Sequence, residues 1–96
     1  MTDTKLSRNK RNVISLRDKG MCRICGKRAQ YSKWKHGYWH FYEVVYHNSD
    51  EYHLCFKIDH IVPLFQGGKA DIDNLQLVCM KCNREKGSRE RRNGMV

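Results

Sequence analysis

The chain lacks any long apolar run. It opens MTDTKLSRNKR, with no hydrophobic stretch of the secretory kind, and no segment approaches the ~20 apolar residues of a membrane helix. The expectation is a cytoplasmic protein, bacterial or of a phage-infected host, whose thiols stay reduced. Length is also in short supply. A chain of 96 residues makes one domain and buries only roughly 60–65% of its unfolded surface, so a staple is expected. Acids are scarce where bases are dense. Residues 1–35 hold eleven Lys/Arg against two acids, residues 36–80 two against six, and residues 81–96 six against two, for a net charge of +9. Basic flanks around a mildly acidic centre suit a protein that grips phosphates at its ends and binds a cation in its middle; equally, small basic surfaces are often only solvated.

What is present is a pair of Cys-x-x-Cys turns, Cys22-Arg23-Ile24-Cys25 and Cys79-Met80-Lys81-Cys82. Each is half of a tetrahedral zinc site, and Gly26 permits the tight turn that aims backbone N–H groups at sulfur. A single pair also fits redox chemistry; two pairs favour a structural Zn²⁺. The two turns are 53 residues apart, so the intervening chain must fold out and return. Cys55 has no partner at ligand spacing and is assigned no role, and neither are His36, His40, His47 and His53.

Upstream, KLSRNKRNVISLRD (5–18) reads as a basic helix capped by Ser7 or Asn9, with Val13, Ile14 and Leu16 as a thin apolar face and Gly20 as terminator. It fits a phosphate-contacting helix, through residues such as Arg8 and Arg11, and it fits a solvated helix closing over the zinc site. Residues 31–56 hold nearly all the aromatics. HFYEVVYH and YHLCFKI read as a hairpin turned at Asn48-Ser49-Asp50-Glu51, with Tyr42, Val44, Tyr46 and Leu54, Phe56, Ile58 on one apolar side. These aromatics suit a small core; Trp34 and Trp39, interleaved with Lys33, Lys35 and His36, also suit stacking on bases.

The stretch that organises the rest is KIDHIVPLFQGGKADIDNLQLVCMKCNREKG, residues 57–87. Asp59-His60 ends a strand, Pro63 limits it, Gln66-Gly67-Gly68 opens a loop, and Leu75, Leu77 and Val78 form a second strand into Cys79. A helix from about Met80 carries Asn83 and Lys86 on one face. Gly87 either ends this helix or merely weakens it. Asp and Asn offer oxygen to a hard divalent ion, and neutral His is a base usable near pH 7.

The run DHIVPL, a Gly-Gly loop, DNLQLVC and CNREKG resembles the HNH endonuclease family, over about a third of the chain plus the upstream Cys pair. The last motif position is often His in that family; here it is Asn83, a known variant. The resemblance implies an α+β fold of the ββα-metal (His-Me finger) type. Its parts would be a basic helix (1–20), a zinc knuckle (21–30), an aromatic hairpin insert (31–56), the ββα-metal core (57–87) and a basic tail (88–96). It further implies hydrolysis of DNA, double-stranded for preference, to 5′-phosphate and 3′-hydroxyl ends. His60 is then the general base, and Asp59 and Asn83 hold Mg²⁺ or another divalent ion such as Mn²⁺, Co²⁺ or Ni²⁺. Asn74 fixes the loop and with it the His60 imidazole. Lys86, Arg84, Arg89, Arg8 and Arg11 are the expected nucleic-acid contacts. Small nucleases of this kind resemble those of bacteriophages and mobile elements, where partner proteins are expected. The competing expectation is a non-catalytic zinc module that binds nucleic acid or another protein.

Overall fold

The computed structural model describes residues 6–94. Two α-helices and five antiparallel strands make a small α+β fold: α1 (Arg8–Asp18), β1 (Tyr31–Lys35), β2 (Tyr38–His47), β3 (Asp50–Cys55), β4 (Lys57–His60), β5 (Leu75–Val78) and α2 (Met80–Gly94). Strands β1, β2 and β3 form one sheet in that order, and β4 and β5 form a second. Among the described residues no helix is long and apolar enough to cross a membrane.

The buried apolar cluster is small: Ile14, Cys22, Phe56, Leu75, Leu77, Val78, Cys79 and Cys82. Three of its eight members are cysteines of the paired turns, so the core and the expected zinc site are one object.

Helix α1 begins at Ser7, whose hydroxyl accepts from the Lys10 N–H at 3.1 Å, and ends at Lys19 in the left-handed region (φ 54°). Its packed face differs from the expected one. Ile14 is fully buried, but Val13 and Leu16 are exposed and Ser15 and Asp18 are buried instead. Ile14, Ser15 and Asp18 sit at i, i+1 and i+4, within one helical stripe; Val13 and Leu16 fall outside it.

The hairpin also differs in register. His47 pairs with Asp50, so the turn is only Asn48-Ser49, and both residues have positive φ (52° and 71°), as a two-residue hairpin of the primed kind requires. That turn sets Tyr42 opposite Cys55, Val44 opposite His53 and Tyr46 opposite Glu51. Leu54 therefore lies on the other face, across from Glu43. The chain also breaks at Phe56, whose N–H donates to the Phe41 carbonyl, and β4 starts a new sheet. A strand not anticipated, β1, completes the first sheet. At the other end α2 runs unbroken through Gly87 to Gly94, so of the two alternatives for the residues after Gly87, further helix or basic tail, the helix is the one seen as far as Gly94.

Asp18 joins these parts. Its side chain is fully buried, receives Arg17 Nε at 2.6 Å and Arg23 Nη1 at 2.7 Å, and accepts from the Leu77 backbone N–H at 2.9 Å. Arg17 also donates to the carbonyls of Ile72 and Leu75, and the Arg23 N–H to that of Leu77. The end of α1, the first Cys turn and β5 thus meet at one carboxylate. Burial favours its protonated form, but the Arg17 hydrogen bond, the Leu77 N–H and the two guanidinium charges outweigh this and hold its pKa below the usual carboxylate range. A depressed folded pKa contributes stability that is present above the unfolded pKa and lost as pH falls through the folded one. Asp18→Ala is therefore expected to cost on the order of 2–4 kcal/mol at pH 7, with a smaller difference from wild type at an acidic pH below the ordinary carboxylate range. Urea melts of both proteins at the two pH values check this; an equal gap at both would contradict it.

Candidate metal and nuclease site

The first Cys turn is closed by a Met21–Arg28 bridge, a Cys22 N–H to Lys27 carbonyl bond, and a Gly26 N–H to Cys22 carbonyl bond, with Gly26 at φ 82°. The second turn opens α2 directly behind β5. The sulfurs of Cys22, Cys25, Cys79 and Cys82 all lie within 4.8 Å of one another, and Cys25 and Cys79 are 3.9 Å apart. A tetrahedron of Zn–S bonds of ~2.3 Å has edges of about 3.8 Å, so the donor set fits one zinc ion. Backbone N–H groups of Cys25 and Cys82 point at the sulfurs of Cys22 and Cys79, each at 3.5 Å. Burial raises the Cys22 pKa, but the N–H groups around its sulfur outweigh it and bring the thiol down to about 7. A partly ionised thiol is a ready metal ligand.

Strands β4 and β5 pair with Asp59 opposite Gln76 and His60 opposite Leu75. Beyond them the chain loops through Pro63 and Gly68 back to Asn74. The Asn74 side chain is wholly committed to that loop: its Oδ1 accepts from the Val62 N–H at 2.8 Å, and its Nδ2 donates to the carbonyls of Val62 at 3.0 Å and Lys69 at 2.8 Å. Its backbone carbonyl accepts from the Ile61 N–H, the residue after His60. Gly68 permits the closure, since a Cβ there would stand 1.8 Å from the Val62 carbonyl oxygen.

His60 Nε2 is buried and makes no hydrogen bond within the described residues. Such an atom ordinarily has a partner, so it is either a base awaiting a proton or one end of a contact to a bound group. Asp59 is engaged. Its Oδ2 accepts from Gln76 Nε2 at 3.0 Å and faces Lys86 Nζ at 3.1 Å. Lys86 also donates to the His60 carbonyl at 2.9 Å and bonds to Glu90. Only 14% of its side chain is exposed. Expected as a phosphate contact, Lys86 turns inward instead and serves as counter-ion to two carboxylates.

Asp59, His60, Asn83 and Glu90 line one open cleft of about 700 Å³, with Arg11 and Lys57 also on its wall. The oxygen donors of Asp59, Asn83 and Glu90 are of the kind that suits a hard divalent ion, and they share the cleft with His60. Glu90 and Gln76 were not singled out from sequence. Glu90 lies seven residues after Asn83, two helical turns along the same face, a signal that could have found it. Gln76 shows itself only through the strand register. The other expected contacts lie on the two helices: Arg84 and Arg89 line an outer groove of α2 with Arg92, and Arg11 stacks over the Tyr38 ring at 4.7 Å. Arg8 packs against Gly37 at the β1–β2 turn.

A family model described as HNH endonuclease matches residues 46–89. Those residues belong to the HNH endonuclease family. The match covers β4, β5, the loop between them and most of α2, and the fold there fits the ββα-metal arrangement. No curated protein and no solved structure matches the chain. The first Cys turn and the aromatic sheet strands β1 and most of β2 fall outside the HNH match.

Because the second Cys turn starts the HNH helix, its loss should be felt in the fold. Cys79→Ser is expected to lower zinc content well below one equivalent and to lower the melting temperature sharply or aggregate the protein. Wild-type melting with a full equivalent of zinc in that variant would rule the four-cysteine site out.

Proposed function

We propose that the chain is a metal-dependent HNH endonuclease that hydrolyses DNA phosphodiester bonds. The observation that carries this reading is that His60, whose Nε2 is buried without a partner, lines one cleft with Asp59 and Asn83 in a segment matched by the HNH family. His60 takes the proton of the attacking water as general base. Asp59 and Asn83 hold one hard divalent ion, Mg²⁺ or Mn²⁺, and Glu90 adds a second carboxylate beside it. When bound, that ion neutralises phosphoryl charge and stabilises the departing 3′ oxygen. Asn74 positions His60 by pinning the loop that follows it. The products carry 5′-phosphate and 3′-hydroxyl ends, as the family resemblance implies.

Cations stand on and near the cleft: half-buried Arg11 and exposed Lys57 line it, and exposed Arg84 and Arg89 line a separate outer groove of α2, which suits the binding of a phosphate backbone. The same resemblance suggests a bacteriophage or mobile-element setting.

One observation favours the second reading, a non-catalytic zinc module that binds nucleic acid or a protein. Asp59 is already neutralised by Lys86, so an incoming ion must share the carboxylate or displace the ammonium. A supercoiled-plasmid assay with and without Mg²⁺ separates the two. Wild type is expected to nick or linearise plasmid only with the ion. His60→Ala is expected to lose roughly 10²–10⁴-fold in rate while keeping its melting temperature and DNA affinity. No cutting with or without the ion would favour the non-catalytic reading, ion-independent cutting would remove the metal assignment, and a His60→Ala protein as active as wild type would remove that of His60.

A further inference from the structure

Trp34 and Trp39 are the only tryptophans in the chain, and they face each other across β1 and β2. Their rings meet edge to face, 5.2 Å between centroids, yet 55% of Trp34 and 41% of Trp39 stays exposed. Neither belongs to the buried core. A folded chain of this size has few apolar atoms to spare, so two large exposed rings side by side mark a contact surface.

The pair is held rigidly. The two-residue turn His36-Gly37 joins the strands, with both φ angles positive (60° and 86°). Helix α1 clamps that turn: Asn12 Nδ2 donates to the Gly37 carbonyl at 3.1 Å, and the Trp39 N–H donates to Asn12 Oδ1 at 3.3 Å. The segment that carries the pair is basic: from Lys19 to Tyr42 the sequence has six Lys/Arg and no acid.

Trp39 also lines a depression that adjoins the nuclease cleft. This depression, of about 460 Å³, runs from Trp39 to Lys57 and Ile58, with Arg11 on its wall and no carboxylate lining it. Arg11, Lys57 and Ile58 line the cleft of Asp59 and His60 as well. These shared walls connect Trp39, and through its ring contact Trp34, to the site of proposed chemistry.

We propose that the Trp34–Trp39 pair is a stacking subsite for an unpaired nucleobase flanking the scissile phosphate. The preferred DNA would then carry a single-stranded segment beside its duplex. Bases inside a duplex have both faces covered, whereas an unpaired base offers a face to an exposed indole, and Arg11 and Lys57 along the adjoining depression suit its phosphates. The proposal rests on the nucleic-acid reading given above and adds to it the form of DNA and the residues that read it.

The test uses the zinc-loaded full chain without Mg²⁺, a labelled blunt duplex, and the same duplex with an unpaired tail. Label anisotropy reports binding, and tryptophan emission reports this pair alone. The tailed DNA is expected to bind more tightly and to quench emission more strongly. Trp34→Ala or Trp39→Ala should weaken binding to tailed DNA about 10-fold and to the blunt duplex less than about 2-fold, and Trp34→Phe should restore most of the loss. Unchanged or equal quenching by the two DNAs, while anisotropy shows binding, would overturn the subsite and leave the nucleic-acid reading standing. Equal losses on both DNAs that follow a fall in melting temperature would make the pair a structural one, which also overturns it. No anisotropy change with either DNA would remove the nucleic-acid reading and the subsite together.

Discussion

The geometry depends on four sulfurs being held within 4.8 Å of one another from turns far apart in sequence. So short a chain buries too little apolar surface to fix two sheets and two helices unaided, and three of the eight core residues are themselves cysteines of that cluster. The consequence reaches the nuclease residues directly. Cys79 and Cys82 bracket the first turn of α2, so anchoring their sulfurs anchors the helix that presents Asn83, Lys86 and Glu90 to Asp59. Asp18 works on the other side of the same joint, tying α1 and the first Cys turn to β5 through two guanidinium groups and one backbone N–H. Folding energy and site geometry therefore share their contacts.

Lys86 gives the cleft its electrostatic character. Two carboxylates and a carbonyl surround one ammonium, which balances the charge of the carboxylates there. An ion that binds Asp59 must compete with that ammonium, which weakens its hold and makes it exchangeable. The two metals expected of this protein thus differ in kind: one built into the core through soft sulfur, the other borrowed from solvent through hard oxygen.

The HNH stretch was legible because distinct residue types recur there in a fixed order and spacing: Asp-His, a glycine at a forced approach, an Asn, and cysteines at metal spacing. The strand–loop–strand–helix order and the start of α2 behind Cys79 followed from the same pattern. The aromatic region was not legible in this way. Tyr42, Val44 and Tyr46 alternate, and so do Leu54, Phe56 and Ile58, but alternation says nothing about register. Register was decided by a two-residue turn that needs positive φ at Asn48 and Ser49, where four residues had been allotted. The inward turn of Lys86 was hidden for a related reason. A lysine near phosphate-binding residues reads as a phosphate contact until the tertiary neighbours, Asp59 from β4 and Glu90 one helical turn on, are known. Asp18 was invisible too, since a charged residue at the end of a basic helix ordinarily faces water.

The central claim is that Asp59 belongs to a second, exchangeable metal site separate from the four cysteines. The most direct measurement is Mn²⁺ binding to the zinc-loaded protein, followed by electron paramagnetic resonance of the free ion, in wild type and Asp59→Ala. One Mn²⁺ should bind wild type in competition with Mg²⁺ and fail to bind the variant, while zinc stays at one equivalent in both. Mn²⁺ binding that is absent from wild type, or equally strong in Asp59→Ala, would contradict the account.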